Sequence, residues 1–190
     1  MTAQASKKSF QELAAALAPA EQDSLRNGQV VISGDAGEYI ARVLVGASPS
    51  LVWEVLTDYA NFHKFLPNVS ASEVLETDDN RTVVEQTNNT QILLADIEST
   101  IQTENIERGQ QRVDFTMTEG DLKEFRGYWQ ITPVANNAEQ QDQTLIKQFV
   151  VADADLGLMD GTFYTVFQGA LQTSLKAIQT EIRRRQQQAD

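Results

Sequence analysis

Hydrophobic and polar positions divide the chain into a helical start, a strand-rich middle and a helical end. Tyr39 to Val45 is rich in β-branched and aromatic residues and predicts a strand. Gly46 and Ala47 break it. Ser48 can cap a helix, and Pro49 follows at the first turn, where a helix tolerates proline. Val52, Val55, Leu56 and Tyr59 then recur at helical spacing and give that helix one apolar face. Asp58 is placed to cap a second short helix through Tyr59, Phe62 and Phe65, which Pro67 stops.

After Pro67 the pattern is that of strands. Val69 to Glu76 alternates weakly, and Arg81 to Thr87 follows a turn at Thr77 to Asn80. Asn88-Asn89 reads as the next turn and Gln91 to Glu104 as a long strand. In Gln111 to Thr118, Val113, Phe115 and Met117 take one side and Arg112, Asp114 and Thr116 the other. Lys123 to Val134 and Leu145 to Ala152 complete the series, with a polar loop at 136–143 between them. Turn signals recur about every ten residues, and no intervening segment is long enough for a parallel crossover. Both features predict one antiparallel sheet.

From Asp160 to about Gln187 the period changes. Phe163, Phe167, Leu171, Leu175, Ile178 and Ile182 form one stripe of a long helix, which must be buried. At the other end, Ser9 and Glu12 form a capping box before Leu13 and Leu17. Pro19 can start a second helix ending near Gly28, Val30 to Ser33 is a short strand or a connector, and Gly34 to Gly37 is a turn. Residues 1–37 are therefore expected to be an N-terminal helical appendage, either packed on the rest or loosely held.

Three motifs carry a resemblance. The first is Ala47, Ser48, Pro49, Val52, Trp53, Val55, Leu56, Asp58 and Tyr59, ending in Phe65-Leu66-Pro67. The second is Phe125-Arg126-Gly127-Tyr128-Trp129, and the third is the long last helix. Together, over about residues 38 to 185, they resemble the START-like helix-grip (SRPBCC) superfamily. That group includes polyketide cyclases and dehydrases and the coenzyme Q-binding type of quinone-binding protein. The resemblance implies an α+β fold for residues 38–187. In it, a curved antiparallel β-sheet wraps around a long C-terminal helix, with two short helices after the first strand. It also implies a cavity between sheet and helix.

Strand parity and the helix stripe name candidates for the wall of that cavity: Phe115, Met117, Phe125, Trp129 and Phe149 from the sheet, and Phe163, Phe167 and Leu171 from the helix, with Trp53 and Leu56 over one end. Aromatics and a methionine make an adaptable apolar pocket. Gly157, Leu158, Met159 and Gly161 precede or open the last helix and read as a gate loop, or as a helix start with Asp160 as cap. In the relatives, apolar residues near this entrance are thought to meet a membrane or partner, so Leu158 and Met159 are candidates for such a transient contact.

Composition narrows the chemistry. The 190 residues suit one domain, with 41% hydrophobic and 22% charged residues. No apolar run approaches the roughly 18 residues that a membrane span needs, and a cytoplasmic location is expected. Cysteine is absent and His63 is the only histidine, which leaves no thiolate nucleophile and no multi-histidine metal site. No metal and no cofactor is expected. A net charge of −12 opposes nucleic acid and anionic membranes. The one basic cluster, Arg183 to Arg185, is expected in the last turn of the last helix, where it complements the helix dipole.

No catalytic residue is assigned. His63 is expected at the surface, and nothing places a nucleophile or oxyanion hole beside it. Asp96 and Glu98 share a strand parity, but Ile97, Ser99 and Ile101 on the other parity are the better core face. Arg42, Arg126, Tyr128 and Lys147 are polar residues within strands, and alternation turns most of them outward. Three functions stay open. The protein is a carrier of a small hydrophobic ligand (a lipid, isoprenoid, quinone or polyketide-like molecule), a cyclase- or dehydratase-like enzyme, or an interaction module without ligand. An inward Arg126, Tyr128 or Asp96 favours the enzyme.

Overall fold

The computed structural model describes residues 8–92, 95–135, 142–154 and 160–189. In chain order the elements are α1 (Phe10–Ala14), α2 (Pro19–Arg26), β1 (Val31–Asp35), β2 (Glu38–Val45) and α3 (Pro49–Leu56). A 3-10 turn (Tyr59–Asn61) leads into α4 (Phe62–Phe65), followed by β3 (Val69–Asp78), β4 (Arg81–Ile92), β5 (Ala95–Arg108) and β6 (Arg112–Gly120). β7 (Glu124–Val134), β8 (Gln143–Asp153) and α5 (Asp160–Ala189) complete the order. The strands form one antiparallel sheet in the order β1-β2-β8-β7-β6-β5-β4-β3. It is curved and wraps α5, as the helix-grip expectation requires.

Alternation decides what faces α5. Tyr39, Ala41, Val43 and Val45 of β2 share the inner face with Ile146 and Val150 of β8 and Ile131 of β7, and all are buried. Leu175, Ile178 and Ile182 of α5 pack on this face together with Val52, Val55 and Leu56 of α3. Nearer its start, α5 sets Leu171 against Tyr39, Phe115 and Val150, and Phe163 against Ala152 and Ala154. α3 begins as expected: the Ser48 hydroxyl accepts from the Leu51 N–H at 3.3 Å, with Pro49 at the first helical position.

Residues 8–35 lie on the sheet. The capping box forms, with Glu12 Oε2 accepting from the Ser9 N–H at 2.8 Å. Ala14, Leu17 and Leu25 pack with Leu44, Leu145 and Val134, whose parity puts them on the convex face. β1 pairs with β2 as the first edge strand, through a turn at Ala36 and Gly37, which both take positive φ. Gln179 Nε2 of α5 donates to the Gly28 carbonyl at 3.1 Å and ties the segment to the last helix.

Three local expectations are corrected. Asn88 and Asn89 do not form a turn: β4 runs through them to Ile92, and they pair with Ser99 and Glu98 of β5. Asp58 makes no capping bond; its carboxylate accepts from Asn61 Nδ2 at 2.7 Å and from Arg185 at 2.5 Å. The basic cluster is not at the helix end, because α5 continues to Ala189. Instead Arg184 and Arg185 both bind Glu181, and Arg185 reaches on to Asp58 with its guanidinium 5.9 Å from the Phe65 ring. This network fastens the end of α5 to the α3–α4 corner.

The Glu181 side chain is only 7% exposed. Hydrogen bonds from Arg184, then from Arg185, outweigh burial and bring its carboxyl from 4.5 down to about 2. A folded value below the unfolded one gives a contribution that is full above about pH 4.5 and is lost as the pH falls toward 2. Glu181→Gln is expected to lower stability by about 1–2 kcal/mol at pH 7 in urea unfolding, since the arginines are partly exposed. The difference from wild type should close between pH 4.5 and 2, and a gap that stays constant would contradict the network.

Candidate functional site

The helix does not fill the concave face along its whole length. A cavity of about 340 Å³ remains between the sheet, the α3–α4 corner and the first half of α5. That is within the roughly 300–1,000 Å³ range of small-molecule sites. One wall is aromatic. Phe115 and Phe125 stack with centroids 5.1 Å apart, Phe125 meets Phe167 edge-on at 6.4 Å, and Phe163 stacks on Phe167 at 5.7 Å. Trp129 and Leu171 extend this wall, and Leu56, Tyr59, Phe62 and Leu66 close the end under α3 and α4. Val166, Ala170, Ser174 and Ile178 add the flank of α5.

The opposite wall is polar. It comes from Gln86 and Asn88 of β4 and Ser99, Thr103 and Asn105 of β5, with Asn68 beside them. Asn105 is held in place: its Nδ2 donates to the Thr82 carbonyl at 3.3 Å and to Thr103 Oγ1 at 3.1 Å. Gln148 of β8 is 6% exposed and lines the cavity from the aromatic side. Its Oε1 is buried without a hydrogen-bond partner, a state that costs about 1–3 kcal/mol.

Three titratable groups line the cavity among the described residues: Tyr59, Glu98 and Asp121. Glu98 and Asp121 are exposed. Burial, then the nearby Glu107 carboxylate, raises the Tyr59 phenol, which stays neutral and donates to Glu107 Oε1 at 3.2 Å. Among the described residues no three His, Cys, Asp or Glu side chains cluster as a metal site, and no helix is long and apolar enough to cross a membrane.

Of the residues expected on the wall, Leu56, Phe115, Phe125, Trp129, Phe163, Phe167 and Leu171 are brought together there. Trp53, Met117 and Phe149 are not. Trp53 lies off the Val52–Val55–Leu56 face of α3 and packs half-buried on the core. Met117 is half-buried beside a bulge in the β5–β6 ladder, beyond the last β6–β7 pair at Thr116 and Arg126. Phe149 faces outward, because its neighbours Gln148 and Val150 take the inner face; its ring stacks on Tyr128 at 5.4 Å. Gly157, Leu158, Met159 and the side chain of Asp96 lie outside the described residues. Gly161 is an exposed residue of α5.

Arg126 is exposed and paired with Glu124 at 2.5 Å, and Tyr128 lies under the Arg112 guanidinium at 3.7 Å on the convex face. His63 is exposed on α4. Sequence reading missed the polar wall and Gln148. The signal for Gln148 was present: it is the polar residue in the parity of Ile146, Val150 and Ala152.

Residues 45–186 match the model of a family described as polyketide cyclase / dehydrase and lipid transport. The chain belongs to that family. No curated protein sequence matches it. Solved structures of the superfamily do. The Zhui aromatase/cyclase from Streptomyces is 18% identical with a TM-score of 0.61, over 78% of this chain and 94% of its own. A START superfamily protein from Mycobacterium smegmatis is 13% identical with a TM-score of 0.62, over 83% and 99%. A STAR-related lipid transfer protein from Xanthomonas axonopodis is 15% identical with a TM-score of 0.53, over 81% and 98%. At these identities the likeness is one of fold. A cavity for a hydrophobic ligand is typical of this superfamily.

Gly127, in the family-like motif, sets the shape of the aromatic wall. A Cβ there would stand 2.0 Å from the Phe149 carbonyl oxygen and 2.8 Å from Phe115 Cζ. Gly127→Ala is therefore expected to push β7 from β8 and displace the Phe115 ring, at a cost of about 1–3 kcal/mol. Urea unfolding followed by Trp fluorescence measures it, and an unchanged midpoint would contradict the close approach.

Proposed function

We propose that this protein binds one small hydrophobic molecule in the cavity and sequesters or carries it, without catalysis. The lipid, isoprenoid, quinone and polyketide-like classes all suit an apolar pocket of this size. The observation that carries the proposal is the unfilled volume of about 340 Å³ beside Phe115, Phe125, Phe163 and Phe167. A core of this size ordinarily closes such a void, because an empty apolar cavity costs stability in proportion to its volume. A ligand that buries about 300 Å² of apolar surface gains roughly 7 kcal/mol, less the freedom it loses.

Proton-transfer chemistry finds little support on the wall. The buried Tyr59 is held neutral, and Glu98 and Asp121 face solvent. A cyclase-like enzyme needs an acid or base held against its substrate.

The neutral dye N-phenyl-1-naphthylamine tests the proposal by fluorescence titration. Wild type is expected to bind it at one saturable site. Phe167→Asp should weaken binding at least tenfold by setting a carboxylate on the apolar wall. His63→Ala should leave it unchanged, as His63 is exposed on α4. Binding that survives in the Phe167 variant, or fails in the His63 variant, would contradict this site.

A further inference from the structure

Gln148 breaks the pattern of its strand. On the inner face of β8 its neighbours are Ile146 and Val150, and across the ladders it pairs with Ala41 and Trp129. Thr144, another polar residue on this face, is satisfied: its hydroxyl donates to the Ala47 carbonyl at 2.7 Å. Gln148 Oε1 is the buried side-chain oxygen left unpaired among the described residues. The side chain is 6% exposed and belongs to the cavity wall. Buried polar groups are otherwise paired as a rule, so an orphan on a cavity wall asks for a partner from the cavity. The flanking Ala41, Ile146 and Val150 side chains supply it no partner.

We propose that Gln148 is the polar anchor of the cavity, its Oε1 accepting a hydrogen bond from a hydroxyl group on an otherwise apolar, ring-bearing ligand. This rests on the carrier reading and narrows it. The aromatic wall takes the rings, and Gln148 selects a ligand that donates over one that only accepts. A quinol is then preferred to its quinone, and an alcohol to its hydrocarbon, because only the first of each pair supplies the missing proton. The discrimination arises as it does in any site whose buried polar group is left unpaired by the wrong ligand.

The test compares 1-hydroxypyrene, 1-methoxypyrene and pyrene by fluorescence titration of the wild-type protein and Gln148→Leu. Wild type is expected to bind 1-hydroxypyrene about tenfold more tightly than the other two. In the leucine variant, checked as folded by its thermal transition, that preference should fall to about twofold or less by loss of the acceptor. Equal affinities in wild type overturn the anchor alone, as does tighter binding of 1-methoxypyrene or a preference that persists in the variant. The wild-type comparison decides the matter even where the variant does not fold. Failure of all three pyrenes to bind wild type overturns the carrier reading, and the anchor with it.

Discussion

One helix cannot cover the concave face of an eight-stranded sheet, and the rest of the structure answers that mismatch. Eight strands about 4.8 Å apart span roughly 34 Å, while a helix with its side chains is only about 10–12 Å across. The sheet therefore curls around α5, and α3 and α4 plug one end. At that end the packing is close: Leu175, Ile178 and Ile182 meet Val52, Val55 and Leu56 with almost no exposure. Alongside the first half of α5 the described elements leave a gap, which stays open as a cavity. The Glu181–Arg185–Asp58 network holds the filled end together, so the helix is anchored at one end and borders empty space at the other.

The walls of that space differ in a way that follows from the sheet. The β6–β7–β8 side and the helix supply rings and branched chains. The β4–β5 side supplies amides and hydroxyls whose own hydrogen bonds are partly made, as at Asn105 and Thr103. A ligand that is apolar along one side and polar at a point or two suits both walls better than a plain hydrocarbon does. Gln148 stands among the rings, where an unpaired oxygen is hardest to explain by structure alone.

Much of this was legible in the sequence, for physical reasons that differ by element. The α5 stripe and the Ser48-Pro49 start of α3 are local signals, set by helix periodicity and capping, and they held. The aromatic wall followed from the alternation of Phe125 and Trp129. The polar wall did not, because Asn88-Asn89 reads as a turn by composition while the β4–β5 ladder carries it on as strand. Phe149 was a candidate for its aromatic ring, although Gln148 and Val150 own the inward parity. Met117 needed knowledge of a bulge, which is a property of the ladder and not of one strand. Asp58 looked like a cap locally, yet its partner Arg185 lies on a helix far along the chain. Long-range pairing is what a single sequence conceals.

Native mass spectrometry of the freshly purified protein, beside its denatured mass, tests most directly that the cavity exists to be filled. A fraction of molecules is expected to be heavier than the 21.1 kDa chain by one discrete adduct, released into organic solvent on denaturation. Where cargo is lost in purification, a one-to-one adduct should form on incubation with a quinol, a fatty alcohol or an isoprenoid alcohol. A mass that stays that of the bare chain under every one of these conditions would contradict it.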